Sequence, residues 1–233
     1  MLNPIEIEAL KLSGFIAIIA VSISIIPGVI IAWIISRKNG LFASLLNMIV
    51  YLPLVLPPVV IGYLLLLLFS NNGILGNFLL ETFNISVNFS WKGAAIAASV
   101  VSFPLLVRSI KLGFDTFDYK IEEAAHINGA SKIDCFFSII LPQILPSIIT
   151  GTTLAFARCL AEFGATITFV SNIPGETQTL PLALYSATQI PGTEESAIRL
   201  VIISIILAFV SVAIAEILAK RTNKRILGNK NNG

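Results

Sequence analysis

From Leu12 to Ile35 no side chain is charged, and the run exceeds the roughly 20 apolar residues a helix needs to cross a hydrocarbon core about 30 Å thick. A backbone placed in lipid must satisfy its own N–H and C=O groups, which limits such a run to a helix. Comparable runs recur at about Leu45 to Phe69, Gly93 to Val107, Phe136 to Val170 and Ala197 to Ala219. They are continuous and do not alternate apolar with polar positions, which argues against a β-barrel. Only 12% of residues are charged, where a soluble domain carries about 25%. The chain therefore reads as all-α, a polytopic membrane helix bundle of about five transmembrane helices in one domain, with its core at about 12–219.

Charge distribution predicts the sides. Lys and Arg gather at cytoplasmic span ends, and here they follow the first run (Arg37, Lys38), the third (Arg108, Lys111, Lys120, Lys132) and the fifth (Lys220, Arg221, Lys224, Arg225, Lys230). The opposite connections carry Glu176, Glu194 and Glu195, with Lys92 and Arg199 at their edges. This pattern places the N-terminus outside and the C-terminus in the cytoplasm. The stretch "NKRILGNKNNG", within a cytoplasmic tail at 220–233, is expected to be disordered. Glu6, Glu8 and Lys11 precede the first run without a basic region or small-residue cleavage site, so the run is expected to remain as a span and not to be removed as a signal peptide. The fourth run is longer than one crossing requires, and the third is short unless it continues past Arg108.

One segment fits neither a span nor an ordinary loop. Between the third and fourth runs, residues 118–135 form a polar, helix-prone elbow. Asp118 to Asn128 favours helix, Gly129 supplies a left-handed stop, and Ser131 with Asp134 has the S-x-x-D spacing that opens another helix. Two readings are open: a solvated connection, or a handle whose carboxylates (Glu122, Glu123) and small residues (Ala124, Ala125) meet a partner.

The elbow also carries a resemblance. Glu123-Ala124-Ala125, three residues, Gly129, nine residues, Ile139, one residue and Leu141-Pro142 resemble the EAA signature of type I ABC importer permeases at every specified position. "LPLVLPPVVIGYLLLLLF" (Leu52 to Phe69) and "LAFARCLAEFGATITFVSNIPGETQTLP" (Leu154 to Pro181) are similar to the molybdate permeases of that family, over nearly the whole chain. Sulfate and thiosulfate permeases share the layout. The resemblance implies a type I ABC importer permease fold in a bacterial inner membrane, and a coupling role for Glu122, Glu123, Ala124, Ala125, Gly129, Ile139, Leu141 and Pro142. It further implies a homodimer, a cytoplasmic ABC ATP-binding subunit gripping the elbow, and an extracytoplasmic molybdate-binding protein. ATP and Mg belong on the ATPase and no cofactor on this chain. Molybdate is the substrate implied, with tungstate, sulfate or thiosulfate as alternatives.

Ionisable residues at membrane depth are costly enough to be paired or to line a watery path. Arg158 and Glu162, four apart, are expected on one helix face, either as an ion pair locking two helices or as a source of positive potential for a dianion. Gly151, Ala155 and Cys159 form one small-residue ridge and Ala157, Ala161 and Ala165 another, which lets helices approach closely. Gly164, Thr166 and Thr168 either face a pore or bond their own backbone. Asn172 to Pro181 reads as a loop or re-entrant turn on the outer side, and Leu180 to Ile190 as a short interfacial helix.

No catalytic constellation, metal site or nucleic-acid signature emerges. The chain has no G-x-x-x-x-G-K-[ST] loop for nucleotide phosphates. Cys135 and Cys159 form no C-x-x-C or metal-ligand spacing and read as packing residues, and His126 reads as a surface residue of the elbow. Two other classes compete with an ATP-driven permease. A secondary transporter generally shows repeated halves and coupling groups at mid-membrane, and no repeat is visible; a non-transporting scaffold would use the elbow only to recruit.

Overall fold

The computed structural model describes residues 3–38 and 40–228, which form helices and no strands. In chain order these are α1 (Pro4–Arg37), α2 (Leu41–Val55), α3 (Pro58–Phe69), α4 (Ile74–Phe83), α5 (Trp91–Asp115), α6 (Tyr119–Ile127), α7 (Lys132–Cys135), α8 (Leu141–Leu160), α9 (Gly164–Val170), α10 (Leu180–Gln189) and α11 (Glu194–Gly228). Among the described residues four helical segments are long and apolar enough to span: Pro4–Arg37, Trp91–Asp115, Lys132–Leu160 and Glu194–Leu218. Counting α2 with α3 as one bent crossing gives five.

Two apolar runs are broken. The expected crossing from Leu45 to Phe69 bends by 114° between α2 and α3. Leu56 and Pro57 each precede a proline, which pushes their ψ out of the helical region, to 140° and 133°. The run from Phe136 to Val170 spans only as far as Leu160, then unwinds through Ala161 and Phe163 before α9. By contrast the third run is longer than its apolar core, since α5 continues past Arg108 to Asp115. α11 likewise carries helix through 220–228, so the part of the expected disordered tail up to Gly228 is helical; 229–233 lie outside the described residues.

The core is built on α5, which packs between α1 and α8. Lipid supplies little hydrophobic drive for helices to associate, so close packing of small residues takes its place. α5 accordingly buries Gly93, Ala94, Ala95, Ala97, Ala98, Ser99 and Ser102. The ridge Gly151, Ala155, Cys159 faces it, with all three buried and the Cys159 Sγ 3.2 Å from Ser102 Oγ. The second expected ridge does not form, because α8 ends before Ala161 and Ala165 belongs to α9.

A charged cluster ties α1 to α11 at the N-terminal end of the bundle. Glu6 is 2% exposed and accepts from Arg199 Nη2 (2.9 Å), Ser196 Oγ (2.5 Å) and the Asn3 N–H (2.9 Å). In the sequence Arg199 stands out only as a cation at the edge of an apolar run. Arg199→Leu strands a buried carboxylate, the costly way to break such a pair. The variant is expected to lower the thermal midpoint in detergent by at least about 4 °C, and Glu6→Leu/Arg199→Leu to recover part of that loss.

Candidate coupling elbow and broken-span site

At the opposite end of α1, the elbow folds as two short helices around a glycine. Asp118 caps α6 by accepting from the Lys120 N–H at 3.0 Å, and Ser131 Oγ accepts from the Asp134 N–H at 3.1 Å to open α7. Between them Gly129 has φ +90°, in the region that disfavours a Cβ. A five-residue π turn, Phe136–Ile140, then leads into α8, with Pro142 in the first turn of that helix. A proline clashes with the carbonyl four residues earlier. The widened turn just ahead of Pro142 accommodates that ring, so Ile139, Leu141 and Pro142 sit where the elbow becomes a span.

The elbow is riveted to α1. Arg37 pairs with Glu122, and its guanidinium lies 4.4 Å from the Tyr119 ring centre. Ser36 Oγ donates to Asp115 Oδ1 at 2.7 Å, and Tyr119 Oη donates to the Phe114 carbonyl at 3.0 Å. Glu122 is therefore committed inward. Glu123 and Ala124 are exposed, and Ala125 packs against the core. Ile127, which the sequence reading passed over, is 86% exposed on the same short helix. Its signal was available: an isoleucine four residues after Glu123 in a segment otherwise too polar to face lipid.

The intramembrane candidates gather at the second break. Arg158 Nη1 lies 2.8 Å from Glu162 Oε2, but the two do not share a helix face, since Glu162 lies beyond the end of α8. Its other oxygen accepts from the Ala165 N–H at 2.8 Å. Glu162 is 2% exposed; it joins the end of α8 to the start of α9 and so stabilises the break. Thr168 Oγ1 donates to the Gly164 carbonyl at 2.8 Å, the local alternative left open by the sequence. Thr166 is buried.

The two broken spans interlock. Glycines stand on both sides of the α3–α9 contact: a Cβ on Gly62 would lie 2.5 Å from the Ala165 carbonyl oxygen, and one on Gly164 2.9 Å from Pro58 Cβ.

The loop following α9 is ordered by its own side chains. Ser171 and Gly175 both have positive φ, at 67° and 80°. Thr177, fully buried, accepts from the Ile173 N–H at 2.9 Å, and Gln178 Nε2 donates to Asn172 Oδ1 at 3.0 Å. The loop sits at the N-terminal end of α1: the Leu180 N–H donates to Ser13 Oγ at 2.7 Å, and Gly175 borders an open groove of about 610 Å³ lined by Glu8, Lys11 and Phe15.

A polytopic helix bundle with a broken-span core and a polar elbow on the side opposite this loop is the architecture of a type I ABC importer permease. The chain belongs to the family described as binding-protein-dependent transport system inner membrane component, which matches residues 13–224. It is 49% identical over 221 residues to the molybdenum transport system permease protein ModB of Haemophilus influenzae, covering 95% of this chain and 96% of that one. Against ModB of Escherichia coli it is 50% identical over 220 residues, covering 94% and 96%. The fold matches a bacterial ABC transporter involved in the import of the acidic polysaccharide alginate, with TM-score 0.73 at 16% identity, over 94% of this chain and 80% of that one. The chain is thus a multi-pass inner-membrane transport subunit, and not a catalytic enzyme.

Proposed function

We propose that this chain is the membrane-spanning subunit of an importer that moves molybdate into the cytoplasm at the expense of ATP hydrolysed on a separate chain. The observation that carries the substrate is near-50% identity, sustained over almost the whole length, to relatives that carry molybdenum transport in their names. Two copies form the pathway. A cytoplasmic ATPase, holding ATP and Mg, grips each elbow through Glu123, Ala124 and Ile127, while Glu122 holds the elbow to α1. A binding protein delivers the oxyanion on the outer side, where the 171–179 loop and the groove beside Glu8 and Lys11 support docking. The N-terminus lies outside and the C-terminus in the cytoplasm, as the Lys and Arg distribution favours. ATP binding favours one arrangement of the spans and hydrolysis releases it, a population shift driven by differential affinity.

Reconstitution tests this reading. The chain in lipid with its cognate ATPase is presented with binding protein that is empty, molybdate-loaded or sulfate-loaded, and ATP hydrolysis is followed. Stimulation by the molybdate-loaded form alone is expected. Equal stimulation by sulfate would move the substrate to oxyanions generally, and failure to assemble with any ATPase would favour a motor-independent transporter. The docking residue has its own prediction. Burying an isoleucine contributes about 1.5–3 kcal/mol, so Ile127→Asp is expected to weaken ATPase binding by at least about tenfold in a titration with the purified ATPase.

A further inference from the structure

The elbow brings together three side chains that the sequence keeps apart. Glu122 and His126 are one turn apart on α6, and the reversal at Gly129 returns Cys135, at the end of α7, beside them. One carboxylate oxygen, one imidazole nitrogen and the Cys135 Sγ all lie within 4.8 Å of one another. No C-x-x-C spacing announces this set, because the turn and not the sequence interval creates the proximity.

Three features favour reading the cluster as a ligand set. First, His126 Nδ1 lies 2.9 Å from the Ala130 carbonyl. Donation there fixes the tautomer and leaves the Nε2 lone pair free, the arrangement by which metal-bound histidines are oriented. Second, that free nitrogen faces Glu122 Oε1 at 3.8 Å, while Oε2 of the same carboxylate is held by Arg37. The carboxylate thus has one oxygen anchored and one available. Third, the set runs from a buried thiol to a partly exposed imidazole, which gives an ion access from water.

We propose that Glu122 Oε1, His126 Nε2 and Cys135 Sγ form a binding site for a divalent cation of zinc-like chemistry, with water in the fourth position. Mixed nitrogen, sulfur and oxygen donors suit zinc. Tetrahedral bonds of 2.0–2.3 Å hold ligand atoms about 3.3–3.8 Å apart, so small side-chain rotations close the set around an ion. On binding, the Cys135 thiol gives its proton to solvent. The thiolate and carboxylate offset two charges of the cluster, and with Arg37 still on the outer carboxylate oxygen the occupied site carries a net charge of about +1. Occupancy joins α6 to α7 across Gly129. The site stands on this chain's own geometry and does not depend on the substrate or on the ATPase.

Cobalt(II) is the probe, added to the full-length chain without a histidine tag in lipid nanodiscs. One cobalt per chain is expected, with a thiolate-to-cobalt charge-transfer band in the near ultraviolet that zinc displaces. Cys135→Ser should abolish the band, and Cys159→Ser should leave it intact. Because His126 is partly exposed, His126→Ala tests the site without disturbing the core, and cobalt affinity should fall by at least about tenfold. Absence of the band in the wild-type chain, or equal cobalt affinity in wild type and His126→Ala, would overturn the proposal.

Discussion

Cells carrying Gly129→Val are expected to take up molybdate at least about tenfold more slowly than wild type, while the same amount of chain reaches the membrane. At φ +90° a Cβ is strained by its own backbone, by roughly 1–2 kcal/mol for an ordinary residue and more for a β-branched one. Around 1.4 kcal/mol is already a factor of ten. Nothing lies within 4 Å of the position a Cβ would take, so no core contact is lost and insertion is spared. The strain is relieved by re-aiming α6 against α7, which displaces Glu123, Ala124 and Ile127 from the place a partner must find them. Gly129→Asn, whose side chain tolerates left-handed backbone, should be the mildest substitution and Gly129→Ala intermediate. Radiolabelled molybdate uptake beside quantitative blotting of the membrane fraction decides it. Normal uptake by the valine variant would remove the elbow from the coupling path.

Gly62→Leu is expected to destabilise the folded chain by about 3 kcal/mol or more, the upper range for overpacking. Even the first carbon of the new side chain would lie 2.5 Å from the Ala165 carbonyl oxygen and 2.8 Å from Thr168 Cβ. The first of these contacts is backbone, which cannot rotate aside as a side-chain tip can. α9 would have to leave α3, taking with it the Glu162 carboxylate that joins α9 to α8. Thermal unfolding of the purified variant in detergent measures the loss. Gly14→Ala serves as the control, because an added Cβ there meets nothing within 4 Å and alanine favours helix over glycine. Equal midpoints for Gly62→Leu and wild type would mean that the α3–α9 contact is not close in the folded protein.

What could be read beforehand followed the range of the interactions. Apolar runs report helices because each residue faces the same solvent, and turn chemistry at Ser131, Asp134 and Gly129 is set by backbone a few residues away. The breaks were harder. Pro57 and Pro58 stand in plain sight, yet their effect depends on whether the chain bends once or merely kinks, which packing of α3 on α9 decides. Ala161 to Phe163 contains no proline at all; the break there is accompanied by the Ala165 N–H donating to Glu162, a contact that no local sequence pattern announces. Arg158 and Glu162 at helical spacing therefore suggested a shared face that the structure lacks. Pairs distant in sequence, such as Glu6 with Arg199 and Arg37 with Glu122, carry no local signature beyond a charge in an unexpected place. The EAA pattern supplied the elbow's expected role, but not the inward commitment of Glu122 or the exposure of Ile127.

α1 contains 34 residues, and at 1.5 Å per residue it is roughly 51 Å long. It is pinned at both extremities, to Arg199 through Glu6 and to the elbow through Arg37. Mechanically this is a tie-rod. A load applied to α6 enters α1 at its Arg37 joint and α8 through the π turn, so one push drives two members of the frame. The axial stiffness of a hydrogen-bonded helix carries the displacement to the far face without a relay of side chains between them. Pro27 is the one place along the rod where a hydrogen bond is missing by chemistry, and it is there that the rod would flex.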